Sequence, residues 1–429
     1  MRRFRCAAVI ACVLALAGCT TPKSNRTTSG TADNSSTVGI TSSEVKIALV
    51  TADLSLLTKQ HLAPDLGDPV KVAQATVDEI NAHGGVAGRK IVLTTHTIAN
   101  APLATADAFQ KVCTQATEED QAFAVVIAAA VPVTVAQCTA VTHSQLTIGM
   151  DSWQQSVFSD AHGRVFSVAS QLAMTIERVY GAFPSILQSR HLLDGKTVGI
   201  LNQDQPSDRT AAATALRAAL AKQNIKVAAE ATAPYEAGNT SCSQTDVAIQ
   251  KMKEAKVDFV FLVAQNLCAA SLVAAADKVG YRPQWATAGN NVTNTVADFF
   301  APSKANYDGA WGLGGALPSA NASAKACNEI IARRARLHYE SNPDAYGFAA
   351  VTCLQIQTLA AAIDAAKSPL TQGSVIKALE AMSSVPLVVG PPGTLSASKH
   401  DAANYVWLEQ YHASSGTFTV VDPTPQRVP

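Results

Sequence analysis

The sequence lacks the short motifs by which catalytic and metal sites are commonly recognised. Its nine histidines are scattered without HExxH or other close ligand spacing, and neither a GxSxG turn nor a CxxC pair occurs. The glycine-rich GLGG at Gly312–Gly315 does not have the GxGxxG spacing of a dinucleotide-binding turn. We therefore predict that the chain is not an enzyme, holds no metal and needs no cofactor.

An excess of either charge is also missing. The 429 residues contain 33 basic and 33 acidic side chains, so no basic surplus calls for nucleic acid as a partner. Beyond the amino terminus, no stretch reaches the ~20 apolar residues of a membrane span without polar interruption. The length and the 48% share of hydrophobic residues provide for two or three domains with cores of their own.

The amino terminus reads MRRFRCAAVIACVLALAGCT and has the plan of an export signal. Three arginines precede an apolar run from Cys6 to Leu16, and the small residues Ala17 and Gly18 follow. Leu16-Ala17-Gly18-Cys19 resembles the bacterial lipobox, in which the cysteine is acylated and becomes the first residue of the mature chain. We predict a signal peptide over residues 1–18 and a lipid anchor at Cys19; an ordinary signal peptide that happens to contain a cysteine is the alternative.

Residues 19–43 have almost no large apolar side chain. Such a segment buries too little surface to offset the entropy lost on ordering, so it is predicted to be a flexible tether. Removal of residues 1–18 takes away three arginines and leaves a net charge of about −3.

Six cysteines lie in the body of the chain, and their even number agrees with export. Taken two at a time along the chain, the cysteines of each pair are separated by 25, 26 and 26 residues, which favours the pairs Cys113–Cys138, Cys242–Cys268 and Cys327–Cys353. Six cysteines allow 15 pairings, so three local disulfides are a hypothesis based on spacing.

Strand and helix patterns alternate through the body. EVKIALV is a buried-strand run, and PVKVAQATVDEINAH places Ala73, Val77 and Ile80 on one helical face before Gly84-Gly85 ends the helix. The alternation restarts at Lys196, and three helical stretches near 322–341, 345–366 and 371–383 precede a terminal strand pair. Parallel sheets covered by helices are the architecture that such alternation predicts. The late helices are expected on the first sheet and the terminal strands on the second.

Four segments together resemble one family of binding proteins: INAHGGVAGRKIVL, TVGILNQDQPSDRTAAATALRAAL, DFVFLVAQNLCAASLVAAADKVGYRPQW and NYVWLEQYHASSGTFTVV. The chain is similar, from Glu44 to Val421, to type I periplasmic solute-binding proteins, particularly the branched-chain amino acid group of ABC-importer receptors. The resemblance implies an α/β fold of two Rossmann-like lobes joined by three crossings, with a small molecule trapped between the lobes. It also implies a monomer that delivers its ligand to an ABC permease; a lipoprotein sensor that presents its bound form to a membrane receptor is the alternative.

On this plan lobe one comprises residues 44–168 and 318–388, and lobe two comprises 169–317 and 389–429. The crossings are expected near Ser167–Gln171, Leu313–Pro318 and Val388–Pro391. Open parallel sheets bind ligands outside the carboxyl ends of their strands. The residues at those ends are therefore the candidate ligand contacts: Asp53, Leu54, Ala129, Ala130, Asp151, Ser152, Trp153, Gln203, Gln205, Gln265, Asn266, Asn290 and Asn291.

Each candidate also has a purely structural interpretation. Trp153 is placed to cap a hinge, Asn290 and Asn291 to form a turn, and Asp151 to cap a helix.

The sequence departs from the amino acid receptors at two points. Where they use a Ser/Thr cluster and free N–H groups after the third strand, this chain has AAAVPVT, in which Pro132 has no N–H and the first hydroxyl is Thr134. The acid that lobe two often supplies for the ammonium is replaced by amides in TAGNNVT. We therefore expect a neutral polar or partly aromatic solute, stacked on Trp153 and bound by Asn and Gln, although Asp151 offers an alternative partner for an ammonium.

Overall fold

The protein is represented by a computed structural model, which describes residues 35–59, 64–99, 104–129, 131–204, 207–236, 239–292, 298–314 and 321–429. The predicted signal peptide, the anchor Cys19, and Ala130 and Gln205 among the candidate contacts lie outside the described residues.

The first sheet has five parallel strands in the order β2-β1-β3-β4-β5. Its strands β3 and β4 are completely buried, and the uninterrupted apolar run of β3 is typical of a parallel strand covered by helices on both faces. The strands are β1 Glu44–Ala52, β2 Lys90–Ile98, β3 Ala124–Ile127, β4 Leu146–Gly149 and β5 Val165–Ser167.

Helices connect these strands as the crossovers of a parallel sheet. In the second of them, the side chain of Asp68 caps the first turn by accepting a hydrogen bond of 3.0 Å from Lys71 N–H. That helix ends just before Gly84, as the sequence predicts. The helices are α1 Ser55–Lys59, α2 Pro69–Ala82, α3 Ala106–Thr114, α4 Val133–Ala136 and α5 Gln155–Asp160. Helices α3 and α4 continue as π-helical segments at Gln115–Glu119 and Gln137–Thr142.

The second sheet has the order β14-β13-β12-β11-β10-β6-β7, with β15 paired to β13. Strands β6, β7 and β10–β12 are parallel, whereas β13 and β14 join antiparallel at one edge. The strands are β6 Val198–Gln203, β7 Val227–Ala233, β10 Phe259–Val263, β11 Gln284–Ala288, β12 Trp311–Gly314, β13 Tyr405–His412, β14 Thr417–Val420 and β15 Gln426–Arg427; β8 Tyr235–Glu236 and β9 Asn239–Cys242 form a separate ribbon. The structure thus confirms the predicted α/β fold with parallel sheets in two lobes, and it places the terminal strand pair on the second sheet as predicted.

Five helices lie along the second sheet, and three later ones return to the first. The former are α6 Ile176–Gln188, α7 Ser207–Lys222, α8 Thr245–Glu254, α9 Asn266–Lys278 and α10 Lys304–Tyr307. The later ones are α11 Ala322–Ala335, α12 Pro343–Ala365 and α13 Gln372–Glu380. Both α11 and α12 pack against α2, and α13 packs against α12, so the late helices complete the first lobe as predicted.

Helix α12 is the one helix within the described ranges that is long and apolar enough to cross a membrane. Its apolar surface is covered by protein instead, because 72% of its most apolar window is buried against the rest of the lobe. Among its buried residues, Gln355 donates a hydrogen bond of 3.0 Å to the carbonyl of Ile127 at the end of β3. Helix α12 is therefore a core helix of lobe one.

Candidate ligand-binding cleft

The chain crosses between the two sheets in three segments, here called passages, and these segments lie side by side. The first passage begins where β5 ends, and it pairs with the passage from α13 to β13 through the bridges Ser167–Asp401 and Ala169–Leu387. The passage that follows β12 meets them at Asn321, whose side-chain amide donates a hydrogen bond of 2.6 Å to Leu387. The described parts of all three passages therefore lie together as one hinge.

The position of the hinge indicates where a ligand is held. Strands β5 and β12 each run parallel to their neighbours, and each enters the hinge from its carboxyl end. The carboxyl edges of both sheets consequently meet at the hinge, where open parallel sheets bind ligands. We call the space between these two edges the cleft.

Asp53 and Leu54 follow β1 on the lobe-one side. The carboxylate of Asp53 accepts a hydrogen bond of 2.8 Å from Ser55 N–H at the start of α1, and this bond holds its pKa below the usual range. Leu54 is half-buried and packs against the lobe-one core. Asp53 is therefore a charged group at the cleft edge, whereas Leu54 contributes mainly to packing.

The turn after β3 is closely packed. The Thr51 hydroxyl donates a hydrogen bond of 3.2 Å to the Ala128 carbonyl, and Ala129 is only 3% exposed. Pro132 caps the helix that follows and is exposed, as is Thr134. No Ser/Thr cluster faces the cleft at this point among the described residues, in agreement with the sequence.

Asp151 follows β4 and is the most unusual group at this edge. It is 8% exposed, its backbone carbonyl accepts a hydrogen bond of 2.8 Å from the Ser167 hydroxyl, and its carboxylate contacts no donor among the described residues. Burial raises the pKa of the Asp151 carboxyl to about 7, because a charged carboxylate loses its hydration there.

The two residues after Asp151 contribute little to a ligand surface. The Ser152 hydroxyl donates a hydrogen bond of 2.7 Å to the Leu172 carbonyl in the first passage of the hinge. The indole of Trp153 is 4% exposed and packs on Gly149, with Phe158 at a ring distance of 6.3 Å. The expectation of a ligand stacked on Trp153 does not fit this placement, because the ring belongs to the lobe-one core.

Gln203 and Gln265 meet on the lobe-two side. Gln203 is fully buried at the end of β6, and its side-chain oxygen accepts a hydrogen bond of 2.7 Å from Gln265 N–H. Gln203 is thus a positioning residue for the turn before α9, and Gln265 is the more accessible of the two. Asn266 begins α9, while Asn290 and Asn291 lie in a short helical turn after β11; their side chains lie outside the described part of the structure.

The hinge contains a charged cluster that was not predicted from the sequence. The carboxylate of Asp401 accepts hydrogen bonds of 2.6 Å from Thr175 N–H and from the Arg178 guanidinium of α6. Burial lowers the pKa of the neighbouring Lys399 ammonium to about 8, and that ammonium donates to the carbonyls of Thr394, Asp401 and Ala402. The polar run SKHD at 398–401, which contains both a basic and an acidic residue, was the available signal, but the partners of Asp401 are more than 200 residues away.

The six cysteines after residue 44 lie in three pairs whose sulfur atoms are in contact: Cys113–Cys138, Cys242–Cys268 and Cys327–Cys353. These are the pairs that the spacing favours. His143 lies within 4.8 Å of the first pair, but the two sulfurs face each other and are therefore not arranged as thiolate ligands for a metal.

Two parallel sheets whose carboxyl edges meet at a shared hinge define a bilobal ligand-binding fold. The sequence model of the family described as periplasmic binding protein matches residues 44–416, so the chain belongs to the periplasmic binding protein family. No protein of curated function matches the sequence significantly.

Several solved structures share the fold at low sequence identity. A branched-chain amino acid ABC transporter protein from Thermus thermophilus with bound valine has a TM-score of 0.64 at 12% identity, covering 90% of this chain and 97% of its own. LivJ from Streptococcus pneumoniae with isoleucine has 0.61 at 15% identity, covering 90% and 99%. A fatty acid ABC transporter substrate-binding protein from Thermomonospora curvata has 0.61 at 15% identity, covering 91% and 94%. At such identities the likeness concerns the fold alone.

Proposed function

We propose that this chain is an extracytoplasmic receptor, anchored to the outer face of the cell membrane through acylated Cys19, that captures a small molecule and delivers it to an ABC importer. The observation that supports it best is the hinge at the carboxyl edges of both sheets, since closure about such a hinge buries a ligand between two lobes. The structural relatives named above are ABC transporter proteins, two of them with bound valine or isoleucine and one a substrate-binding protein for fatty acids.

For the two lobes of this receptor we propose the boundaries expected from the sequence. Lobe one comprises residues 44–168 and 318–388, and lobe two comprises 169–317 and 389–429. The ligand is held by strand-end residues from both lobes: Asp53, Ala129, Ala130 and Asp151 from lobe one, and Gln205, Gln265, Asn266, Asn290 and Asn291 from lobe two. Gln203 and Trp153 act behind them, because both side chains are buried in the lobes.

Deletion of the gene tests transport. Uptake of labelled amino acids, amides, amines and sugars is compared between the deletion strain and a strain complemented with the full chain. Loss of uptake of one compound, restored by the full chain, supports import. Unchanged uptake together with a lost cellular response to that compound supports the sensor alternative and contradicts transport.

The anchor has a test of its own. Cys19→Ser removes the thiol that would be acylated, so the protein is expected to move from the membrane fraction to the soluble fraction. Cys12→Ser, within the apolar run of the signal, is the matched control and leaves the protein in the membrane fraction. If both variants stay in the membrane fraction, Cys19 is not the anchor.

A further inference from the structure

Asp151 is a buried acid without a counter-charge. It is 8% exposed at the carboxyl end of β4, beside the hinge, and no hydrogen-bond donor or cation among the described residues contacts its carboxylate. Burial alone accounts for its raised pKa. A buried carboxylate that has no partner loses its hydration without compensation, so the ionised form is unfavourable here unless something pairs with it.

Other polar groups around the hinge and the lobe-two edge also lack donors. The side-chain oxygen of Gln171, in the first passage of the hinge, is buried and accepts no hydrogen bond from the described residues, and the same holds for Asn202 near the end of β6. An amide can rotate to present either its oxygen or its nitrogen, whereas an ionised carboxylate only accepts. The amides can therefore adapt to a ligand, whereas the ionised Asp151 requires a ligand group that donates hydrogen bonds or carries a positive charge.

The strand ends contain acids and lack bases. Asp53 and Asp204 directly follow β1 and β6, and Asp151 is the second residue after β4. No Lys, Arg or His occupies either of these two positions at the described strand ends. The hydroxyls of Thr51 and Ser152 are already donated to backbone carbonyls. The described strand ends thus offer amide groups, but no positively charged side chain, to a ligand carboxylate.

We propose that the solute captured in the cleft carries a positively charged nitrogen, an ammonium or a guanidinium, that pairs with Asp151, and that it carries no carboxylate. This inference rests on the proposed receptor function. A cation with several N–H donors pairs with the Asp151 carboxylate and reaches acceptors such as the Gln171 and Asn202 oxygens when the lobes close. Pairing with a cationic ligand also explains why the chain has a buried acid at a position where an Asn would fill the same volume.

The sign of the pH dependence follows from competition between the ligand cation and a proton. Because the pKa of Asp151 is about 7, the carboxylate is mostly ionised at pH 8 and mostly protonated at pH 6. The affinity for a cation is therefore expected to be about tenfold lower at pH 6 than at pH 8. The groups around Asp151 are Ser152, Trp153 and Ser167, which do not titrate in this range. In the hinge, burial lowers the pKa of Lys399 to about 8 and also lowers the pKa of His400, and the variant below separates their effects from that of Asp151.

The experiment uses the full chain with Cys19→Ser, and its melting temperature is recorded with butylamine, putrescine and agmatine as cationic probes. Butanol and leucine are the neutral and zwitterionic probes. We expect a stabilising shift with at least one cation at pH 8, a weaker one at pH 6, and none in Asp151→Asn. Asp160→Asn, at the exposed end of α5, is the matched control and keeps the shift. The melting of Asp151→Asn without probe shows whether that variant is folded.

The outcomes separate this inference from the receptor function. A shift with leucine or butanol and none with the cations overturns the cation proposal and supports the receptor. A cation shift that persists in Asp151→Asn, or that is equal at pH 6 and pH 8, overturns the role of Asp151. No shift with any cation overturns the inference, and unchanged uptake in the deletion strain would independently contradict the proposed import.

Discussion

The side-chain oxygen of Gln203 accepts a hydrogen bond of 2.7 Å from the backbone N–H of Gln265. The bond joins the end of β6 to the turn before α9, so it fixes the relative positions of two neighbouring strand ends at the lobe-two side of the cleft. Because Gln203 is fully buried, no solvent replaces this acceptor when it is removed.

Gln203→Leu is expected to destabilise the protein by about 1–3 kcal/mol, because the Gln265 N–H loses its acceptor in a buried place. Urea denaturation measures the change. Gln250→Leu on the exposed face of α8 removes a Gln–Glu hydrogen bond at the surface and is expected to change stability by less than about 0.5 kcal/mol. Equal effects of the two substitutions would show that the Gln203 bond contributes nothing specific.

Asp151→Asn is expected to make the ligand-free protein more stable relative to the original chain as the pH rises. The pKa of Asp151 is raised from 3.8 to about 7, so the unfolded chain releases this proton at lower pH than the folded protein does. The original chain therefore loses stability, on the order of 4 kcal/mol at most, between pH 4 and pH 7, and the variant lacks this loss. Denaturation curves at pH 4.5, 6 and 8 measure the difference, and a constant difference across this range would contradict the raised pKa.

Gly149→Ala tests the burial of Trp153. A Cβ at Gly149 would collide with the indole, which has little room to move in the lobe-one core, so a loss of about 1–3 kcal/mol is expected. Gly181→Ala within α6 meets no neighbouring atom within 4 Å and is expected to be neutral or slightly stabilising. If Gly149→Ala is as stable as Gly181→Ala, the indole is free to leave the core and ligand stacking on it becomes possible again.

Asp401→Asn is expected to weaken the hinge. The carboxylate of Asp401 is 3% exposed and accepts from Thr175 and Arg178, and loss of one partner of a buried pair costs about 3 kcal/mol or more. A double-mutant cycle with Arg178→Ala measures the coupling between the two side chains. The exposed pair Arg282–Asp277 is the control, with an expected coupling of about 0–1 kcal/mol. Similar couplings for both pairs would contradict a structural role of the hinge cluster.

The three sulfur pairs are expected to be disulfides in the exported protein. The mass of the intact chain should then be six hydrogens below the mass of the reduced chain. Each bond closes a loop of 25 or 26 residues, so its reduction is expected to cost about 3 kcal/mol on chain-entropy grounds. Labelling of all six thiols in the native, unreduced protein would exclude the disulfides.

The fold was predictable because each of its elements leaves a local pattern. Short apolar runs such as AVVI and FVFLV give buried parallel strands, and the helices between them follow from apolar spacing. The assignment of the late helices to the first sheet also followed, since they have no strands of their own.

The side-chain details of the site were less predictable. Strand-end position placed Asp151 and Trp153 beside the cleft, but it did not show that Gly149 leaves room for the indole inside the lobe. The partners of Asp401 were invisible for a different reason: Thr175 lies 226 residues earlier, and only the return of the chain through the hinge brings the two together.

The strand order of the second sheet affects how the protein folds during its synthesis. Strand β12 pairs with β13, which begins 91 residues after β12 ends, once the chain has passed through lobe one and back. During synthesis, the edge of β12 therefore has no native partner until residues 405–412 have emerged. A chain interrupted between the two strands would expose that edge, and exposed strand edges promote association between chains. The late strand pair thus makes completion of the chain a condition for a protected second lobe.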